Sequence, residues 1–205
     1  MKIWEKSVCL ALILCILVSF TTLSAKCSGI QDRVLRLHVL ANSDSQSDQA
    51  VKLKVRDRIL AESAGMLDGV KTRGEAEQRV ASHLPDIRQA AEKELRSLGA
   101  SGQIRAELPN MYFSTRQYGN ITLPAGKYDA LRITIGSGKG HNWWCVLFPA
   151  LCLPAAEAPS RLEDVLNGSE MQLVQGGGGG NTYEVKFRSV ELFEELRDWL
   201  SRIRF

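Results

Sequence analysis

Apolar residues alternate over Val34–Ala41, with Leu35, Leu37, Val39 and Ala41 on one side and Val34, Arg36, His38 and Leu40 on the other. A period of two predicts a strand with one apolar face and one mixed face. Asn42-Ser43-Asp44-Ser45 follows as a cluster of turn and cap residues. The pattern then becomes helical from Asp48 to Ala64, with Gly65 as a terminator. On that helix Val51, Val55 and Ile59 line one side and Leu53 and Leu60 another, which predicts cover by more than one neighbour. Thr72 and Glu75 have capping-box spacing and open a helix to about Leu84. Pro85 suits the first turn of another over Asp86–Leu98, closed by Gly99. One helix kinked at Pro85 fits the same pattern.

Beyond Gly99 the period returns to two. Gln103–Leu108 and Met111–Thr115 read as extended, and Leu123-Pro124-Ala125-Gly126 as a turn into a strand over Tyr128–Ile135. Gly136–Gly140 reads as a hairpin-like loop, rich in positions suited to positive φ, leading to a strand over Trp143–Phe148. Leu153–Pro159 reads as irregular, Arg161–Leu166 as a helical turn and Gly176–Gly180 as a flexible linker. Tyr183–Val190 alternates as a last strand, and Glu191–Ile203 is an amphipathic helix carrying Leu192, Leu196, Trp199 and Leu200. Together these elements predict an α+β fold: a single two-layer domain over residues 33–205, with a mainly antiparallel sheet packed by helices.

The first 25 residues change the picture. Lys2 and Lys6 form a basic start, Val8–Phe20 is almost unbroken apolar sequence, and Leu23-Ser24-Ala25 ends in a small residue. This is the pattern of an export segment, either a cleaved signal peptide or an uncleaved membrane anchor. Lys26 precedes Cys27 where lipidation needs a small residue, so a lipoprotein reading fails. Residues 26–32 read as a short polar lead-in that holds the domain clear of a membrane.

The remaining 180 residues or so suit one domain with a real core. Hydrophobic content of 44% and charged content of 24% are ordinary for a globular protein. A net charge of +3, from basic residues scattered without a block, gives no basis for nucleic-acid binding. Export permits disulfides, and Cys145 and Cys152 are spaced to close a ring around Phe148-Pro149 that would stabilise by roughly 2–3 kcal/mol. Two buried thiols acting as small apolar side chains is the other reading. The C-x6-C spacing has no second pair to complete a metal site, and no cofactor motif is present. Gly136-Ser137-Gly138-Lys139-Gly140 lacks P-loop spacing.

His38, with Asn42, Ser43 and Asp44 downstream, raises the question of a hydrolytic site. Ser43 lacks a nucleophile-elbow context, and the same residues serve as turn and cap. Asp44 and Asp48 lack the apolar-Asp-Thr/Ser-Gly setting of an aspartic protease. Trp143 and Trp144 must point to opposite faces of their strand, and a tryptophan edged by His141 and Asn142 is a typical contact anchor. Arg36, His38, Asn42, Asp44, His141, Asn142 and Trp144 are therefore the candidate partner-binding residues, with no catalytic set. A cell-envelope hydrolase using His38 and nearby acids, and a structural envelope protein, are the rival readings.

Four blocks in order carry a more specific signal: Arg36–Asp48, Lys52–Asp57, Leu123–Arg132 and Asn142–Cys152. Between about Arg33 and Cys152 the chain closely resembles the stage II sporulation protein R family of endospore-forming bacteria. The resemblance implies an exported signal from the forespore, acting in the space between the forespore and mother-cell membranes. It implies as partner a membrane-embedded aspartic protease, SpoIIGA, which processes the sigma E precursor. It brings no catalytic residues and no cofactor. The glycine run Gly176–Gly180 has no counterpart in the resemblance.

Overall fold

A computed structural model describes residues 27–118, 121–149 and 165–175, with isolated helical positions between 4 and 15. Most of the expected export segment, Cys152, the glycine run and the expected last strand and helix lie outside the described residues. Among the described residues, no helix is long and apolar enough to cross a membrane.

The fold is α+β. Among the described residues, besides the short helical stretch 27–31, seven strands, β1 (Leu35–Leu40), β2 (Ile104–Glu107), β3 (Asn110–Phe113), β4 (Arg116–Tyr118), β5 (Ile121–Leu123), β6 (Gly126–Ile135) and β7 (Asn142–Phe148), accompany four helices. These are α1 (Gln46–Met66), α2 (Arg73–Ser82), α3 (Leu84–Ser97) and α4 (Gly168–Gln175). The main sheet runs β2-β6-β1-β7, with β3 also pairing with β6; only β1–β6 is parallel. β4 and β5 form a separate two-stranded ribbon.

Local chemistry explains the helix ends. Ser45 caps α1 by accepting from the Asp48 N–H at 3.1 Å. Thr72 Oγ1 accepts from the Glu75 N–H, while the Glu75 carboxylate reaches back to the Lys71 N–H, one residue before the usual capping-box position. His83 separates α2 from α3, so the expected two helices form rather than one kinked helix, with Pro85 in the first turn of α3. Gly99, at φ 65°, ends α3: its N–H bonds to the Arg96 carbonyl, and the Ala100 N–H to that of Leu95.

Helices α1–α3 cover one sheet face. Leu35, Leu37 and Val39 of β1 and Leu131, Ile133 and Ile135 of β6 meet Val55, Ile59, Val80, Ile87 and Leu95 there. The buried residues of α1 are Lys52, Val55, Ile59 and Ser63, a single stripe; of the expected second side Leu53 is exposed, while Leu60 is half-buried against the same core. The other sheet face packs Phe113, Tyr128, Ala130 and Val146 against Ile30, Val34, Ile121, Leu123, Met171 and Val174.

Three expectations change. β6 and β7 do not form a hairpin, because β1 lies between them and pairs with both. Gly136 and Gly138 nonetheless take the positive φ expected of their loop, at 56° and 66°. The expected lead-in is part of the fold: residues 27–31 are helical, and Cys27 and Ile30 are buried in contact with the domain. Strand β1 is buried on both faces, Arg36 and His38 included, since its partners and covering layers leave it no open side.

Candidate functional site: a polar crest beside a cationic sheet face

At the end of β1 the chain turns outward, and the loop after β6 returns against it. Asn42 joins the two. Its side-chain carbonyl accepts from the Ser137 N–H at 2.9 Å, its backbone carbonyl accepts from the Ser137 hydroxyl at 2.6 Å and from the Lys139 N–H, and its amide donates to Asp48. Ser43 donates its hydroxyl proton to the same Asp48 oxygen at 2.5 Å. Gly140 passes so close that a Cβ there would lie 2.2 Å from the Ser43 carbonyl oxygen.

Asp44 and His141 form the tip. Asp44 Oδ1 accepts from the His141 N–H at 2.6 Å and lies 2.5 Å from His141 Nδ1, with side chains 55% and 79% exposed. Hydrogen bonds from His141 hold the Asp44 carboxyl below its ordinary range; those from Ser43 and Asn42 do the same for Asp48. Beneath the tip, Lys52 is almost fully buried and donates to the His141 carbonyl and to Gln49 Oε1. Burial lowers its pKa, and the Asp44 charge opposes that. Lys52, Asp48, Gln49 and Ser137 were not among the expected site residues. A lysine inside the apolar stripe of α1 is the sequence signal that points to such a tie.

Arg36 and His38 do not reach this surface. Arg36 is fully buried within Phe113, Tyr118 and Tyr128, its guanidinium carbon 4.4 Å, 5.6 Å and 5.0 Å from their ring centres. Its Nε donates to the Cys145 carbonyl and one terminal nitrogen to the Tyr118 hydroxyl; Nη1 has no partner. Burial lowers its pKa, opposed by the tyrosines, and arginine remains cationic. His38 stacks flat on Trp144 at 3.8 Å. Neither of its ring nitrogens has a hydrogen-bond partner. Burial pushes its pKa down to about 4; Asn142 acts in the opposite sense without reaching hydrogen-bond geometry, and the Arg132 charge adds to the depression.

The seven expected contact residues therefore divide. Asn42, Asp44 and His141 form the crest, and Asn142 begins β7 beside it, exposed and paired with Leu40. Trp144 is half-buried on the second sheet face, and Arg36 and His38 lie beneath that face, which removes them from direct contact with a partner. Trp143 points to the face opposite Trp144, as strand alternation predicts; this is the helical face, where it lies under Arg56 at 4.2 Å. Among the described residues no group of three or more His, Cys, Asp or Glu side chains converges as a metal site.

Cys145 is buried and disulfide-bonded. Its expected partner, Cys152, lies outside the described residues. Non-reducing peptide mapping of the protein should recover the Cys145 and Cys152 peptides as one linked species that separates on reduction. Recovery of Cys145 linked to any other cysteine would reject the pairing.

An α+β fold with a hydrogen-bonded polar crest and, among the described residues, no assembled nucleophile is the class this geometry defines. The family model for stage II sporulation protein R matches residues 31–158, more than half of the chain, and the chain belongs to that family. It is similar to the stage II sporulation protein R of Bacillus subtilis (strain 168), at 42% identity over 123 residues, which is 60% of this chain. The match spans about half the length, 55%, of that relative. No solved structure matches. The family assigns this chain to sporulation, and its name denotes no enzyme.

Proposed function

We propose that this chain is an exported sporulation signal that activates a membrane-embedded aspartic protease, SpoIIGA, by direct contact, leading to processing of the sigma E precursor. The carrying observation is the state of the crest. Its hydroxyls are committed elsewhere, Ser43 to Asp48 and Ser137 to the Asn42 carbonyl, so neither gives its proton to His141. An Asp–His pair without a nucleophile does not build an acyl-transfer site. Held by bonds from three segments, it makes a rigid, charged contact surface instead. His38, the basis of the hydrolase reading, is buried under Trp144 and cannot meet a substrate.

Family membership and the basic-then-apolar N-terminus support export from the forespore into the space between the two membranes, with residues 1–25 acting as signal peptide or anchor in transient membrane contact. Activation then requires that the crest bind the protease's active arrangement better than its inactive one. A preference of about 1.4 kcal/mol shifts the ratio of the two tenfold. The chain added to membranes holding the protease should trigger precursor cleavage that depends on the protease's own catalytic aspartates, and Asp44→Ala with His141→Ala should weaken it. Cleavage that persists when those aspartates are removed would make this chain the hydrolase.

A further inference from the structure

The scattered basic residues become a surface only in the fold. Paired positions on neighbouring strands project to one face of a sheet. Register sets Arg132 of β6 beside His38 on one side of β1, and Trp144 beside it on the other. Strand β2 adds Arg105 opposite Thr134, and Glu107 opposite Arg132. From the ribbon, Arg116 lies over the Trp144 ring at 5.8 Å. Arg105 and Arg116 are exposed, while Arg132 and Trp144 are half-buried.

Glu107 is the one acid that β1, β2, β6 and β7 place on this face, and it lies 3.6 Å from Arg132. Three arginines thus face one carboxylate, with the uncompensated Arg36 beneath them. Among the described residues, arginine therefore outnumbers carboxylate on this face. Among the described residues, four of the five buried side-chain nitrogens without partners lie here: Arg36 Nη1, both ring nitrogens of His38 and Arg132 Nε; the fifth, Trp143 Nε1, is on the other face. Arg132 is half-buried with its Nε unpartnered, 3.6 Å from Glu107, so a further carboxylate arriving beside it gains a charge-assisted hydrogen bond.

We infer that the Trp144 face receives an acidic peptide segment of the partner, with aspartate or glutamate side chains against Arg105, Arg116 and Arg132 and an apolar residue on Trp144. This rests on the contact-signalling reading above and names the chemistry of the surface contacted. An anionic membrane is the weaker fit. A lipid surface meets the exposed Arg105 and Arg116, whereas the recessed Arg132 and the flank of Trp144 suit a carboxylate carried on a narrow chain.

The test uses the full chain in non-ionic detergent and a fluorescent peptide of alternating glutamate and glycine. Anisotropy should show binding that weakens about tenfold between roughly 0.05 and 0.3 M salt. The glutamine version should not bind. Arg105→Glu with Arg116→Glu, both on exposed side chains, should weaken binding at least about tenfold with unchanged circular dichroism. Equal binding by that variant, or none by the unaltered chain, overturns the inference. So does arginine-dependent binding to phosphatidylglycerol vesicles without peptide binding, which assigns the face to a membrane. In the precursor-cleavage assay, a variant that has lost the peptide yet signals fully places the partner elsewhere and overturns the inference while contact activation stands. If the unaltered chain triggers no cleavage, contact activation itself fails, and the peptide result alone decides this face.

Discussion

Between pH 6.5 and pH 4 the folded domain should lose on the order of 3 kcal/mol of stability, and His38→Phe should abolish most of that loss. The cause is a histidine with no means of holding a proton. His38 is 3% exposed, stacked on Trp144 and edge-on to Phe113, and burial takes its pKa from 6.5 to about 4. Above pH 6.5 the imidazole is neutral in both folded and unfolded chains, so it makes no difference to their balance. As pH falls, the unfolded chain accepts a proton that the folded chain refuses, and stability declines until the folded state also protonates near pH 4. At about 1.4 kcal/mol per pH unit the interval gives the stated figure.

Phenylalanine keeps an aromatic stack on Trp144 and removes the titration. Asp44 and Asp48 do not blur the result. Their carboxyls are held below the ordinary range, so what they contribute is lost at more acid pH, as pH falls through their folded values. Urea unfolding of both chains at stepped pH is the measurement. Parallel decline of the two between pH 6.5 and 4 would show that His38 is not the group responsible.

The mixed face of β1 shows how far the sequence can be read. Alternation over Val34–Ala41 identified the strand, and Ser45, Thr72, Pro85 and Gly99 marked helix ends through chemistry local to each turn. Whether Arg36 and His38 face solvent depends on what lies above them, and that is supplied by β3, β7 and the ribbon, more than 70 residues away. The same limit produced the hairpin error. Gly136–Gly140 has turn composition, but turn composition cannot show that β1 already occupies the place between β6 and β7.

The crest was half legible. Both blocks, Asn42–Asp44 and His141–Asn142, stood out; their contact across 97 residues did not. One smaller signal lies near the end of the described residues. Asn167, three residues before Glu170, caps α4: Asn167 Oδ1 accepts from the Ser169 and Glu170 N–H groups, and the Glu170 carboxylate accepts from the Asn167 N–H. The arginine face had no local signal at all, because Arg105, Arg116 and Arg132 meet only through strand pairing and the ribbon.

Removing residues 1–25 should abolish signalling and leave the fold intact, whereas removing residues 1–32 should damage both. The second half of this expectation comes from the packing of residues 27–31. Ile30 is fully buried among Phe113, Tyr128 and Met171 and their neighbours, and Cys27 is 2% exposed. Gly29 fits against Glu170, where a Cβ would come within 2.4 Å of the carboxylate, and Arg33 donates to the Val165 carbonyl at 2.8 Å. Losing the side chains before Arg33 opens a cavity in the second core, with an expected cost of at least about 3 kcal/mol. A chain beginning at Lys26 retains all of these contacts. Made without an export segment, neither chain should trigger precursor cleavage from the compartment that produces it. Given a substitute export signal, the chain from Lys26 should restore cleavage, and the chain from Arg33 should not. Denaturant midpoints of the two truncated chains and precursor processing in sporulating cells measure the two effects separately. Equal midpoints would show that residues 27–31 contribute nothing to the fold, and cleavage driven by the unexported chain from Lys26 would end the export reading.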